Sequence, residues 1–141
     1  MTYVLDTNVV SEAIKATPDP TCHAWLQSNV EKCCLTAITL AEMRYGVERL
    51  PDGKRKRDLD RKLDFLWDDF GERILDFDGV AAAEFGRYVA EFELARGVAA
   101  VDAADIRDLQ IAAIARAHGC AVASRNVRHF PCVRCVNPFI P

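Results

Sequence analysis

Short apolar segments alternate with longer segments of helical periodicity along this chain, and this alternation restricts its fold more than any other feature. Strands are predicted at residues 2–5, 33–36, 73–77, 120–123 and 133–136. Because helices lie between the first four strands, we expect βα units and a mainly parallel sheet with helices on both faces. The sequence therefore predicts an α/β protein with about five strands.

The predicted helices are bounded by residues that commonly begin or end helices. Thr36 or Thr39 can cap one helix and Asp78 another, whereas Gly119 is suited to ending the last one. A loop from Gly97 through residue 100 is expected before that last helix. The predicted helices run from about residue 6 to 15, from 20 or 21 onward, from 36 or 39 to 50, and over 54–70, 79–96 and 102–118.

The length of 141 residues fits a single domain, residues 1–141, which buries about two-thirds of the surface that its unfolded chain exposes. No apolar run approaches the roughly 18 residues that a membrane span requires. The first residues also lack the basic segment of a secretory signal. We therefore expect a cytoplasmic protein without membrane contact.

The six cysteines are expected to be free thiols, because the cytoplasm is reducing. Cys33, Cys34 and Cys120 lie in strand-like segments, where buried thiols behave as small apolar side chains. Cys132 and Cys135 form an isolated C-x-x-C motif. The second pair at typical zinc spacing is absent, which argues against a structural zinc site.

The formal net charge is −3 at pH 7, unlike the basic balance of proteins that bind nucleic acid through phosphates alone. Any contact with RNA must therefore be local. The basic run at residues 54–57 can provide such a contact, although a charge run at the start of a helix more often only faces solvent.

Asp6 ends the first predicted strand and precedes a helix. Its simplest role is to cap that helix by accepting a backbone N–H. Thr7 and Asn8, however, place further polar side chains within one turn of it. A nuclease would use a carboxylate here as a metal ligand, with the neighbouring hydroxyl and amide holding its geometry.

Glu42 lies in a predicted helix among mostly apolar neighbours, so its carboxylate is expected close to buried surface. A buried charge without a partner is costly. Either a basic side chain such as Arg44 or Arg125 neutralises it, or a cation does. The ordinary alternative is a glutamate exposed on one face of an amphipathic helix.

Asp108 opens a segment so rich in small apolar residues that nearly the whole circumference of its helix is expected to be buried. An acid at the start of such a helix is unusual. Asp105 lies three residues earlier, on the same side of the helix. We interpret Asp102 and Asp105 as a helix cap and its first-turn partner, and Asp108 as a functional residue.

Four motifs follow one another along nearly the whole chain. They are Asp6-Thr7-Asn8, Ala41-Glu42-Met43-Arg44-Tyr45-Gly46, Asp108 with Ile111-Ala112-Ala113, and Ser124-Arg125-Asn126-Val127-Arg128-His129-Phe130. In this order and at these separations they resemble the motifs of PIN-domain toxins, most of all those of the VapC, FitB and plasmid-stability StbB proteins. The resemblance spans residues 3–138. Each motif is weak alone, and their order makes the signal specific.

The resemblance implies a three-layer α/β/α sandwich and a metal-dependent endoribonuclease, the toxin of a toxin–antitoxin module. Asp6, Glu42 and Asp108 would converge to bind Mg²⁺ or Mn²⁺, cations that prefer hard oxygen ligands. The metal would activate water for attack on an RNA phosphodiester. The resemblance also implies a homodimer and a cognate antitoxin, through which alone the toxin would reach operator DNA.

The chain departs from the family pattern at two positions. Many PIN domains have aspartate where Asn126 stands, and close relatives often have it where His129 stands. Asn126 can hold a water or bind a metal through its carbonyl oxygen but adds no charge, and Asp105 can offset this loss. Ser124 matches the hydroxyl of the motif and is expected to orient a water or the substrate. His129 is expected to be solvated beside Phe130, and the alternative is that it contacts phosphate when protonated.

Two other functions are compatible with the sequence. An aspartate after the first strand is also how aspartyl-phosphate phosphatases present their nucleophile. Those enzymes usually have a second aspartate two residues on, where this chain has Asn8. The fold can also serve as a non-catalytic interaction module whose acids only cap helices, and the departures at Asn126 and His129 favour this alternative.

Overall fold

A parallel sheet forms the centre of the computed structural model, which describes all 141 residues. The strands are β1 (Tyr3–Leu5), β2 (Cys33–Thr36), β3 (Ile74–Leu75), β4 (Ala121–Ala123) and β5 (Cys135–Val136). Their order in the sheet is β3-β2-β1-β4-β5, and every neighbouring pair is parallel. The predicted five-stranded sheet is confirmed, and it is entirely parallel.

Seven helices connect and cover the strands. They are α1 (Thr7–Ala13), α2 (Pro20–Asn29), α3 (Ala37–Glu48), α4 (Lys54–Phe70), α5 (Gly79–Arg96), α6 (Val98–Ala103) and α7 (Ile106–Ala117). Short 3₁₀ turns occur at Val30–Lys32, Gly71–Arg73 and Val127–His129. None of the seven helices combines the length and the apolarity that a membrane crossing requires.

Two apolar cores lie on opposite faces of the sheet. On one face, Leu5 of β1 packs with side chains of α1 to α4, such as Val9 and Leu63. On the other face, the adjacent Val4 packs with α5 and α7. Successive residues of a strand point to opposite faces, so one short strand can contribute to both cores. The three-layer α/β/α sandwich is thereby confirmed.

The strand order changes direction at β1, which has β2 on one side and β4 on the other. In open parallel sheets, such a switch point leaves a crevice at the carboxyl ends of the strands, where ligands bind. The register pairs Leu5 with Ala123. Asp6 and Ser124, which follow these two residues, therefore lie side by side at this edge.

One helix predicted at residues 102–118 is two helices in the structure, and the loop predicted through Ala100 is part of α6. The backbone is extended at Asp105 (φ −72°, ψ 125°), where the side chain accepts the N–H of Arg107 and caps α7. Asp102 lies inside α6 and does not cap α7. A local side-chain bond therefore interrupts a segment whose composition favours continuous helix.

The other predicted elements are all present in the structure, and they differ from the prediction only in where they begin or end. Thr36 caps α3 and Asp78 caps α5 through their side chains. Gly97 (φ 89°) and Gly119 (φ 65°) end α5 and α7 in the left-handed region, which glycine adopts without steric cost. The strands predicted at residues 73–77 and 133–136 shrink to the two-residue edge strands β3 and β5.

All six cysteines are free thiols, as expected. Cys33 and Cys120 are buried and Cys34 is half-buried. Burial raises the pKa of Cys33 to about 11, so this thiol stays protonated at neutral pH. These three side chains pack in the two apolar cores on the faces of the sheet.

Candidate active site

Asp6 is buried at the carboxyl end of β1 and is the most tightly held acid of the site. Its Oδ1 accepts the backbone N–H of Thr7 at 2.8 Å. Its Oδ2 accepts the hydroxyl of Ser124 at 2.7 Å and the amide of Asn8 at 3.1 Å. Asp6 therefore caps α1 and also has side-chain donors that a cap does not require, including the expected Asn8 amide.

Ser124 follows β4 and is fully buried. Its hydroxyl donates to Asp6 and accepts the backbone N–H of Asn126 at 2.9 Å and the Asn8 amide at 3.3 Å. A hydroxyl offers one donor and two acceptor lone pairs, so these three contacts use its full capacity. The serine that was expected to orient a water or substrate has no free donor for either.

Glu42 extends from α3 toward the start of α1. Its Oε1 accepts the hydroxyl of Thr7 at 3.1 Å, and its Oε2 lies 3.5 Å from Nη1 of Arg107. The prediction that Arg44 or Arg125 neutralises Glu42 is wrong, because each of these arginines pairs with other carboxylates. Arg44 is only two residues from Glu42, and residues at that spacing do not face each other on a helix.

Asp108 lies in the first turn of α7, and its Oδ2 is 3.3 Å from Nδ1 of His129. The His129 side chain is 56% exposed, so it is solvated as expected but also contacts this acid. Asp105 is bound by the guanidinium of Arg107 through Nε at 3.0 Å and Nη2 at 2.8 Å. Arg107 therefore joins Asp105 to Glu42.

Arg107 is absent from the sequence-based expectations. In the structure it lies in the first turn of α7, where the helix dipole disfavours positive charge, whereas the helix predicted from residue 102 placed it beyond the first turn. Such a residue needs carboxylates nearby. The structure supplies them in Asp105 and Glu42.

The acids of the site influence one another electrostatically. Burial, and then the charges of Asp6 and Asp105, raise the pKa of Asp108 to about 6. Burial also raises the pKa of Glu42, although Arg107 opposes this effect. Raised pKa values mean that the ionised carboxylates are destabilised in this setting. Burial is the main cause for both groups, and the neighbouring acids add to it.

The structure brings Asp6, Glu42 and Asp108 to one end of the sheet, but it forms no group of three acidic, histidine or cysteine side chains arranged to hold a metal ion. Asp6 and Glu42 accept hydrogen bonds from donors of the protein instead, and Asp108 lies 3.3 Å from Nδ1 of His129. Asn126 is exposed, and only its backbone takes part in this network, by donating to Ser124.

Two clefts open beside the acids. The larger, of about 590 Å³, is lined by residues that include Thr7, Glu42 and Arg107. The smaller, of about 410 Å³, includes Asp105 and Asp108. Glu42 and Asp108 thus face different clefts.

Comparisons with known proteins identify the family of this fold. The chain matches the sequence model of the PIN domain over residues 3–132. The chain belongs to the PIN-domain family. This PIN domain is 35% identical to the VapC ribonuclease Y4jK of Sinorhizobium fredii, over 98% of both chains. It is 37% identical to toxin FitB of Neisseria gonorrhoeae, over 90% of this chain and 89% of that protein.

Solved structures share the fold along nearly the whole chain. The crystal structure of FitAcB from Neisseria gonorrhoeae matches this PIN domain with a TM-score of 0.86 and 35% identity, covering 99% of this chain and 100% of the matched chain. VapBC2 from Rickettsia felis, bound to a DNA fragment from its promoter, matches with a TM-score of 0.76 and 27% identity, covering 97% and 98%.

Proposed function

We propose that this PIN domain is a Mg²⁺- or Mn²⁺-dependent endoribonuclease and the toxin of a toxin–antitoxin module. The observation that carries the proposal is the group of carboxylates at the switch point of the sheet, where Asp108 and Glu42 have raised pKa values. The names of the similar proteins support it, since one is a ribonuclease and another a toxin.

The donor set fits a hard divalent cation. Asp6, Glu42 and Asp108 offer carboxylate oxygens, which Mg²⁺ and Mn²⁺ prefer, and a cation would stabilise the ionised forms of Glu42 and Asp108 that burial disfavours. When bound, such an ion would lower the pKa of a water and neutralise charge on the phosphate. Asp105 and Asn126 are the further oxygen donors that we propose as possible ligands.

The side chains around the acids have supporting roles in this proposal. Ser124 and Asn8 act as positioning residues, because both donate to Oδ2 of Asp6. Thr7 orients Glu42 in the same way. Arg107 neutralises Glu42 while no cation is present, and its half-exposed guanidinium can contact a phosphate oxygen once Glu42 is released.

We further propose that the chain binds a cognate antitoxin and reaches operator DNA only through it. The similar VapBC2 structure contains DNA from its promoter, and the similar FitAcB structure matches 99% of this chain. A homodimer is part of the same proposal. Co-purification of the chain with the product of a neighbouring gene, followed by gel-shift of the promoter DNA, tests the partner.

Cleavage of RNA tests the proposed activity directly. Purified protein is incubated with total tRNA and rRNA in Mg²⁺ or Mn²⁺, and in parallel with EDTA. We expect discrete RNA fragments with either metal and intact RNA with EDTA, because the carboxylates need a cation to act on a phosphodiester. Intact RNA under every condition contradicts the proposal.

Mn²⁺ is expected to stabilise the protein against heat. Binding to the folded state at about 100-fold over Kd adds about 2.7 kcal/mol to the free energy of unfolding. In Asp6→Asn this gain should be lost, because the variant lacks a carboxylate ligand. Differential scanning fluorimetry over a Mn²⁺ titration measures it. An interaction module whose acids only cap helices predicts no response to Mn²⁺ in either protein.

Ser124→Ala is expected to lower metal affinity and kcat by about 10- to 100-fold, the usual effect of losing a residue that orients a ligand. The reason is that Oδ2 of Asp6 loses its shortest hydrogen bond. Isothermal titration with Mn²⁺ and cleavage kinetics measure the two effects. The control is Ser28→Ala, which removes an exposed hydroxyl on α2. Equal metal affinity in both variants contradicts the positioning role.

A further inference from the structure

The larger cleft, called here the basic cleft, runs from the acids to the start of α4. Glu42 is the only acidic residue that lines it. Four basic residues line the same cleft. They are Lys15, Arg49, Arg55 and Arg107. Lys15 and Arg107 pair with carboxylates, so the unpaired positive charge of the groove comes from Arg49 and Arg55, in a protein whose net charge is −3.

Arg49 and Arg55 are the two basic residues of the cleft that lie beyond ion-pair distance of any carboxylate, whereas Lys15 and Arg107 each lie within it. Both side chains are exposed. Their charges are therefore available to a ligand. Arg55 belongs to the basic run at residues 54–57, so the structure directs part of that run into the cleft.

Tyr45 adds an aromatic surface to the basic cleft. It is 65% exposed, and the guanidinium of Arg49 lies 5.7 Å from the centre of its ring. Tyr45 and Arg49 follow Glu42 by three and seven residues, so all three share one face of α3. Arg49 lies about 10 Å along the helix axis from Glu42. The ring of Tyr45 and the unpaired charge of Arg49 therefore lie at increasing distances from Glu42 along the helix axis.

We infer that the basic cleft binds the single-stranded segment of RNA next to the cleaved bond. Arg49 and Arg55 contact its phosphates, and a base stacks on Tyr45. This inference rests on the proposed function and adds to it the strand form of the substrate and the residues that hold it. Only an unpaired base exposes a face for stacking, so single-stranded RNA binds in preference to a duplex.

The same positive charge would also attract an acidic peptide. Two observations favour RNA. The cleft is continuous with Glu42, so a bound strand reaches the acids, and the exposed ring of Tyr45 suits a base. The carboxylates of an acidic peptide do not stack on an aromatic ring as a base does.

Binding is measured by fluorescence anisotropy in EDTA, with a labelled single-stranded oligoribonucleotide and with the same strand in a duplex. We expect the Arg49→Ala/Arg55→Ala variant to raise Kd for the single strand about 10-fold or more. The slope of log Kd against log salt should fall by about 1.4, which is about 0.7 for each lost phosphate contact. The matched control, Arg57→Ala/Arg134→Ala, removes two exposed charges outside the cleft and should bind as wild type does.

Stacking is tested separately at Tyr45. Tyr45→Ala should weaken binding of the single strand about 5-fold or more, and Tyr45→Phe should restore it, because phenylalanine keeps the ring. In cleavage assays the arginine double variant should raise KM and leave kcat unchanged, since its residues lie away from the acids. A melting temperature close to that of wild type verifies the fold of each variant.

Three results overturn the inference: no binding of single-stranded RNA by wild type, equal affinity in wild type and the arginine double variant, or preference for the duplex. The inference is also overturned if the arginine double variant loses binding to an oligoglutamate peptide while its affinity for RNA equals that of wild type. That result would assign the cleft to an acidic protein segment. The proposed function fails separately. If wild type does not cleave RNA but binds it through Arg49 and Arg55, the inference stands and the nuclease proposal does not.

Discussion

Replacing Asp108 by asparagine is expected to lower the rate of RNA cleavage by at least about 100-fold. Loss of a residue that merely orients a metal ligand costs up to about 100-fold, so loss of a proposed ligand should cost at least as much. Asparagine keeps the shape of the side chain and removes its charge. Cleavage of total RNA in Mg²⁺ and in Mn²⁺, wild type against variant, measures the effect.

Asp102→Asn is the matched control for this experiment. Asp102 lies six residues before Asp108, is exposed within α6, and makes no ion pair or side-chain hydrogen bond. Its variant should cleave at the wild-type rate. Asp108 is a cleaner test than Asp6, because Asp6 also caps α1 and accepts the Ser124 hydroxyl, so its loss disturbs the fold. Wild-type activity in Asp108→Asn would remove this residue from the site.

The fold could be predicted from the sequence where one physical signal dominates. Apolar runs bounded by turn residues mark β1, β2 and β4, and these strands form the centre of the sheet. The two edge strands are shorter than predicted, since each pairs on one side only. The break between α6 and α7 was missed, because a side-chain bond at Asp105 outweighs the helix-forming composition around it.

Asp6 and Asp108 could be identified from their positions at the end of a strand and the start of an apolar helical segment, and Glu42 from its apolar neighbours, but the partners of these acids could not be identified. Arg107 reaches Glu42 across a sequence distance of 65 residues, and Ser124 reaches Asp6 across 118. Such pairs depend on how helices pack around the sheet, which local patterns do not encode. The basic cleft has the same origin, since its lining extends from Thr7 and Lys15 to Arg107 in the sequence.

Asp108→Asn is also expected to stabilise the metal-free protein at pH 7, by up to about 3 kcal/mol. The folded state raises the pKa of Asp108 from 3.8 to about 6, and each pKa unit corresponds to about 1.36 kcal/mol. For a carboxyl with a raised pKa, the folded state binds the proton more tightly than the unfolded state. The favourable contribution of Asp108 to the free energy of unfolding is therefore complete below about pH 3.8 and is lost as the pH rises through about 6.

The difference in free energy of unfolding between Asp108→Asn and wild type should accordingly be smallest near pH 4, grow up to about pH 6 and stay constant above it. Urea denaturation in EDTA across this range measures it, with Asp102→Asn as the control that should follow wild type. A difference independent of pH contradicts the argument. Mn²⁺ should reduce this difference in free energy of unfolding at pH 7, because it stabilises the ionised carboxylate of wild type. The charge that destabilises the metal-free fold would then be the charge that binds the metal, so the proposed function would carry a cost in stability at Asp108.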